Sequence, residues 1–135
     1  MREILFRGKR IDNGEWLYGI PIETHIGTFI VCEENPHYCS QYGYMEICEL
    51  AIVIPSTVGQ YTGLTANGKK IFEGDVGTGR NMLHPKRKKY EVVYEDNGFY
   101  FCDEKGVTWH PEHIDYFEVI GNVHDNPELL EVSHE

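Results

Sequence analysis

Long apolar runs, helical patterns and cations are all scarce in this 135-residue chain. The longest greasy piece, Leu50 to Pro55, falls far short of the ~20 apolar residues that carry a helix across a bilayer, so no membrane partner is expected. No apolar leader follows Met1-Arg2-Glu3, and only four cysteines are present, Cys32, Cys39, Cys48 and Cys102, which together predict a reduced, cytoplasmic protein. No segment repeats at a period of roughly 20–50 residues, which excludes solenoids and propellers.

Twelve Lys or Arg stand against 22 Asp or Glu, a net charge of −10 that excludes a generally basic nucleic-acid coat. The shortage is uneven. Residues 1–89 hold eleven basic and ten acidic residues, net +1, whereas residues 90–135 hold one lysine and twelve acids, net −11. By itself this asymmetry reads first as a solvated acidic surface, but so polarised a chain can also associate with copies of itself, and with its strand edges and exposed aromatics the expected partner is a second copy.

Catalytic and metal motifs are also lacking. Cys32, His37, Cys39 and Cys48 are zinc-ligand types, but their spacing misses the close thiolate pair that structural zinc sites use, and free thiols are expected. His110-Pro-Glu-His113 lacks the i, i+4 histidine pair of the metalloprotease helix and reads as a turn bearing surface histidines. Gly74, Gly77 and Gly79 are followed by no Gly-Lys-Ser/Thr, so the reading is a flexible loop and not a phosphate cradle. Glu73 and Asp75 flank a glycine and are expected to bond local amides. No catalytic residue, metal or cofactor is expected, and the protein is read as a non-enzyme.

What the chain does have is turns and aromatics. Asn-Gly occurs at Asn13-Gly14, Asn67-Gly68 and Asn97-Gly98, each between runs of strand-forming residues, and this dipeptide favours the tight turn of a β-hairpin. In the first hairpin a two-residue loop is expected to set Ile11 opposite Trp16 and Lys9 opposite Tyr18. In the third, Tyr90 to Tyr94 is expected to meet Phe99 to Cys102, with Val107 to Trp109 continuing a meander. Thr28 to Cys32, Leu50 to Ile54 and Phe117 to Val123 read as further strands, with a bulge or close approach at Gly121. Asn126-Pro127-Glu128 starts a short C-terminal helix, Asn126 serving as cap; a second short turn begins near His110-Pro111-Glu112. The longest irregular segments are Glu33 to Gly43 and Gly77 to Lys89.

The fold class that follows is mainly β, with α+β as the variant. Its strands are antiparallel, in a small barrel or two packed small sheets, with a short C-terminal helix. Residues 1–135 form a single domain, divisible into an N-terminal lobe 1–57 and a C-terminal β lobe 58–135. The scaffold residues are Trp16, Tyr61, Gly63, Gly68, Gly74, Asp75, Gly121 and Pro127.

One segment suggests a ligand. Lys86-Arg87-Lys88-Lys89 together with Arg80 places five of the twelve cations in one loop, a run that attracts phosphate backbones without reading sequence. Arg80, Lys86, Arg87, Lys88 and Lys89 are therefore the candidate nucleic-acid contacts, with Tyr90 and Tyr94 as stacking platforms. The competing role for these cations is pairing with the acidic half of a neighbouring copy.

Four blocks carry a family resemblance: Arg2-Glu-Ile-Leu-Phe-Arg-Gly-Lys-Arg10 followed by Trp16, Gln60-Tyr-Thr-Gly-Leu64, Asn67-Gly-Lys-Lys-Ile-Phe-Glu-Gly-Asp75, and Glu118-Val-Ile-Gly-Asn-Val-His-Asp-Asn-Pro-Glu-Leu-Leu130. They resemble the signature blocks of the YopX family of phage and prophage proteins, from one end of the chain to the other. The resemblance implies a β-rich accessory protein in the cytoplasm of a bacterial host and assigns no activity or active site. The expected function is accordingly self-assembly or protein interaction, with a nucleic-acid-associated regulator using residues 80–89 as the alternative.

Overall fold

The computed structural model describes residues 3–32, 36–39, 44–47 and 50–130, with side chains over 3–31 and 52–130. The zinc candidates Cys32, His37, Cys39 and Cys48 lie outside the described side chains. The strands are β1 (Phe6–Lys9), β2 (Trp16–Thr24), β3 (Gly27–Cys32), β4 (Pro36–Cys39), β5 (Tyr44–Ile47), β6 (Leu50–Val53), β7 (Gly59–Ala66), β8 (Lys69–Phe72), β9 (Asp75–Arg80), β10 (Lys88–Glu95), β11 (Gly98–Asp103), β12 (Thr108–Trp109) and β13 (Asp115–Asn122). Single 3₁₀ turns cover Pro55–Thr57, Pro111–His113 and Pro127–Leu130. The fold is mainly β, in antiparallel sheets without a closed barrel. Among the described residues no helix is long and apolar enough to cross a membrane. The chain divides into two compact units, Met1–Tyr61 and Thr62–Glu135.

In the first unit the strand order is β6-β3-β2-β1-β7, and β4 and β5 form a separate hairpin. Alternation along β2 and β3 buries Leu17 and Ile30 with Val53, and Val58 packs beside them. The sheet curls until β6 meets the end of β1 at one bridge, Arg10↔Val53, supported by Ile11 N→Ile52 O (3.1 Å) and Ile54 N→Lys9 O (2.8 Å). A Cβ at Gly8 would lie 3.0 Å from Val53 Cγ2 and 3.2 Å from Ile30 Cγ1, so glycine there lets these core side chains pack close to β1. The Arg7 guanidinium lies 4.8 Å from the Trp16 ring centroid, a cation–π contact.

The first hairpin differs from its sequence reading. Lys9, and not Ile11, lies opposite Trp16, and Arg7 opposite Tyr18, because Arg10 and Ile11 are taken up by β6. The turn becomes a longer loop closed by Arg10 N→Glu15 O (2.8 Å), with Gly14 at φ +74 and the Asn13 Oδ1 accepting from the Glu15 amide.

In the second unit β7 ends in the hairpin with β8, and the sheet order is β12-β11-β10-β9-β13. Asn67 and Gly68 take φ values of 52° and 77°, the positive pair that a two-residue hairpin turn demands. The third Asn-Gly is displaced. Asp96 and Asn97 (φ 47° and 68°) form the turn, and Gly98 enters β11 opposite Glu95. This register sets Val92 opposite Phe101 and brings the Tyr94 and Phe99 rings edge to face at 5.1 Å, cross-strand pairs that reward the shift. Ile71, Tyr90, Val92, Phe101, Ile114 and Phe117 form the core, with Phe101 and Phe117 stacked at 4.3 Å.

Residues 77–80, read from sequence as the start of a long irregular segment, belong to β9, which lies between β10 and β13. Gly77 and Gly79 alternate with Val76 and Thr78, leaving one face of β9 bare. A Cβ on Gly77 would lie 2.4 Å from Phe117 Cζ and 2.5 Å from Glu118 O; one on Gly79 would lie 2.6 Å from Ile114. These glycines admit core side chains; they are not a flexible loop. Gly121 combines both of its sequence readings. A register irregularity separates Val119 from Gly121, and Asn126 Oδ1 lies 2.5 Å from where a Cβ would stand. Asn126 does not act as the expected forward cap: its Oδ1 accepts from the Asn122 amide behind it (3.3 Å). Asp75 is buried and its carboxylate accepts from the Phe72 amide at 2.8 Å, the local bond expected of it.

Candidate functional site

The loop between β9 and β10 is held at both ends. Asn81 is buried and donates Nδ2 to the Tyr90 hydroxyl (2.8 Å), while its Oδ1 accepts from the Leu83 amide (2.9 Å). Arg87 closes the other end. Its Nε donates to Thr78 Oγ1 (3.1 Å), and Nη2 donates to the carbonyls of Thr78 (2.8 Å) and Tyr116 (2.6 Å). Between these anchors the chain has no route inward for Met82 and Leu83, which stand 83% and 68% exposed. Adjacent exposed large apolar residues on an anchored loop make a surface feature that single scattered ones do not.

Arg80, Lys86 and Lys88 are exposed around this tip. Arg87 spends its guanidinium on β9 and β13, and Lys89 is half-buried at the start of β10, opposite Thr78. Tyr90 is 1% exposed and has no face to offer a base, whereas Tyr94 is exposed and engaged with Phe99. The fold thus gathers the five cations of the sequence reading at one end of β9 and β10 but gives them different environments.

A groove of ≈ 420 Å³ opens between the β7–β8 hairpin and the beginning of β13. Ile71, Phe101, Ile114 and Phe117 reach it from the core, and Leu64 and Tyr116 form exposed apolar lining. Tyr116 adopts φ +55 and is 75% exposed, so its ring is turned out of the core alternation of β13. Glu112 lines the groove, and Asp115 and Glu118 are exposed on the adjoining strand. Sequence reasoning missed this groove because its walls come from residues 64–71, 101 and 111–117; the one local signal was the adjacent aromatic pair Tyr116-Phe117, which cannot both face the core from one strand.

On β10 and β11, Glu91 faces Cys102 across the ladder, in a cleft of ≈ 220 Å³ that Leu129 and Leu130 also line. Burial pushes the Glu91 carboxyl up. Burial also pushes the Cys102 thiol up, reinforced by the negative charges of Glu91, Asp103 and Glu95. A thiol so placed stays protonated and is a poor nucleophile. Asp103 differs. Burial raises its carboxyl, but hydrogen bonds from Trp109 Nε1 (3.1 Å) and from the Val107 and Lys105 amides (2.9 Å each) outweigh that and hold it below the usual range. It organises the turn between β11 and β12. His110 and His113 are both exposed beside the Pro111–His113 turn, as their spacing predicted. Among the described residues no group of three His, Cys, Asp or Glu is placed to hold a metal ion.

No curated protein matches this chain. Among solved structures it is similar to protein EF1440 from Enterococcus faecalis, at 25% identity and a TM-score of 0.64, over 97% of this chain and 100% of that one. The family model described as YopX protein matches residues 5–131, nearly the whole chain, taking in three of the blocks that carry the resemblance in full and the first from Leu5 onward. The chain belongs to the YopX protein family.

Proposed function

We propose that this protein is a phage or prophage accessory protein that acts in the bacterial cytoplasm through its surfaces and not by catalysis, and that it associates with copies of itself. The observation that carries this reading is a matched pair of features on the second unit. Met82 and Leu83 project from an anchored loop whose exposed residues include Arg80, Lys86 and Lys88, and an apolar groove is lined in part by Glu112, with Asp115 and Glu118 exposed on the adjoining strand. Tip and groove are complementary in both apolarity and charge. Arg80 is the register partner of Asp115, so the base of the tip lies beside the strand that lines the groove. A two-fold pair, in which each copy inserts its tip and receives the other's, satisfies both features at once. Attraction between the charged borders speeds encounter and orients it, while apolar burial supplies the affinity.

Sedimentation equilibrium of the full chain tests this. Wild type is expected to self-associate, and the double substitution Met82→Ser and Leu83→Ser to weaken association at least tenfold, since burying one such side chain contributes about 1.5–3 kcal/mol. A wild-type protein that stays monomeric at high concentration would remove the proposal.

A second reading rests on the exposure of Arg80, Lys86 and Lys88 around the same loop. It makes the protein a nucleic-acid-associated regulator using residues 80–89, and predicts a salt-sensitive gel shift that is lost when Lys86, Arg87, Lys88 and Lys89 are neutralised together. Absence of any shift at low salt rejects it.

A further inference from the structure

Beside the loop that carries the tip, a small pocket lies where the start of β10 meets the turn after β11. Its volume is ≈ 110 Å³, with Asn81 in its wall. This is well below the roughly 300–1,000 Å³ of pockets that hold drug-sized ligands. Residues with nitrogen-bearing side chains line it: His84 from the loop, Lys88 and Lys89 from β10, and Lys105 from the turn. Lys88 shares the sheet face of Tyr90, whose hydroxyl is bonded to Asn81, while Lys89 alternates to the face of Glu91. Lys105 is the single basic residue among residues 90–135, where twelve acids surround it in sequence, and the fold sets it beside Lys88 and Lys89.

Two acids also line the pocket, Asp103 and Glu104. The Asp103 carboxylate is already occupied, with Oδ1 accepting from the Lys105 and Val107 amides and Oδ2 from Trp109 Nε1. Glu104 is exposed in its turn. The ammonium groups of Lys88 and Lys105 therefore outnumber the one carboxylate not engaged in shaping the turn. The wall itself is preorganised: Asn81 is locked to the Tyr90 hydroxyl and the Leu83 amide, so a ligand meets a surface already in place. A compact set of lysine ammoniums acts on an anion as point charges, without needing the planar fork of arginine.

The geometry points to a binding site for a single phosphate-sized oxyanion in this pocket, held by Lys88 and Lys105 with His84 alongside. The site stands independently of self-association. It also differs from the run of cations read in the sequence: Lys105 and His84 join it, while Arg87 is committed to Thr78 and Tyr116. The oxyanion has two sources, free phosphate or a phosphate within a nucleic-acid backbone.

The test is a ¹H–¹⁵N NMR titration of the full chain with sodium phosphate, run against sodium chloride at matched ionic strength. Phosphate is expected to move the amides of His84, Lys88, Lys89 and Lys105 saturably, and chloride to leave them in place. Lys105→Gln and Lys88→Gln, made separately and checked by thermal melting, are each expected to weaken phosphate binding at least tenfold. Lys69→Gln, a change at an exposed lysine of β8 outside the pocket, should leave binding unaltered. A parallel titration with a short oligothymidylate distinguishes the sources. Tighter binding through the same residues assigns the site to a nucleic-acid backbone, and phosphate binding without oligonucleotide binding assigns it to free phosphate. Equal shifts with phosphate and chloride, or equal losses from Lys69→Gln and Lys105→Gln, would overturn the proposal.

Discussion

At Gly68 and Gly77 the absence of a side chain answers two different needs. Gly68 sits at φ +77, and a Cβ there would meet nothing within 4 Å, so its constraint is conformational. Gly68→Ala is predicted to cost about 1 kcal/mol, the ordinary penalty of placing a side chain in the left-handed region. Gly77 has no such φ; there a methyl group would meet the Phe117 ring and the Glu118 carbonyl at once. Gly77→Ala is predicted to cost ~3 kcal/mol, because a ring in the core and a strand backbone must both move. Urea denaturation ranks the pair, and a smaller loss at Gly77 would contradict the packing described for β9. The Gly68 requirement was legible from Asn-Gly alone. That of Gly77 was hidden, since it depends on which residue of β13 lies across the sheet.

Glu91 supplies a pH signature at the same scale. Burial raises its carboxyl above the ordinary value of 4.5, so the native state keeps a proton that the unfolded chain has released. Stability from this group is therefore present at acid pH, falls as pH rises from about 4.5 through the raised value, and stays reduced beyond it. Glu91→Gln is predicted to raise the melting temperature at about pH 7 and to leave it nearly unchanged at about pH 3.5. A gain of equal size at both pH values would show that the carboxyl charge is not the cause.

Turns and ties between strands decide the next level. The three Asn-Gly dipeptides marked three real hairpins, yet only Asn67-Gly68 turns where the dipeptide predicts. At Asn13-Gly14 the neighbouring residues Arg10 and Ile11 are recruited by β6, and the loop lengthens. At Asp96-Asn97-Gly98 two adjacent residues tolerant of positive φ compete for the turn, and the pairing of Val92 with Phe101 accompanies the earlier one. Local chemistry thus located the reversals, and tertiary partners set the register. Arg87 shows the same division. Its sequence neighbours mark it as one of four consecutive cations, but the closeness of β13 makes it a tie across β9. Arg87→Ala is predicted to destabilise the chain by about 1 kcal/mol through its lost hydrogen bonds, and Lys86→Ala to have no measurable effect. Equal effects in a thermal melt would remove the structural role of Arg87.

For the whole molecule, β-rich class, antiparallel pairing and family were legible from short blocks of sequence, because these blocks hold strands and the turns that join or end them. The candidate surfaces were not. The cationic run marks one end of β9 and β10, but the apolar tip depends on Asn81 and Arg87 holding its base, and the groove is assembled from segments dozens of residues apart. Self-association through these surfaces requires the tip of one copy to enter the groove of another. Isotope-filtered NOE spectroscopy of a mixture of ¹³C-labelled and unlabelled protein measures this directly. Cross-peaks from the methyl groups of Met82 and Leu83 to Ile114, Tyr116 and Phe117 of another copy are predicted; intermolecular cross-peaks that involve neither tip nor groove, or none at all, would contradict it.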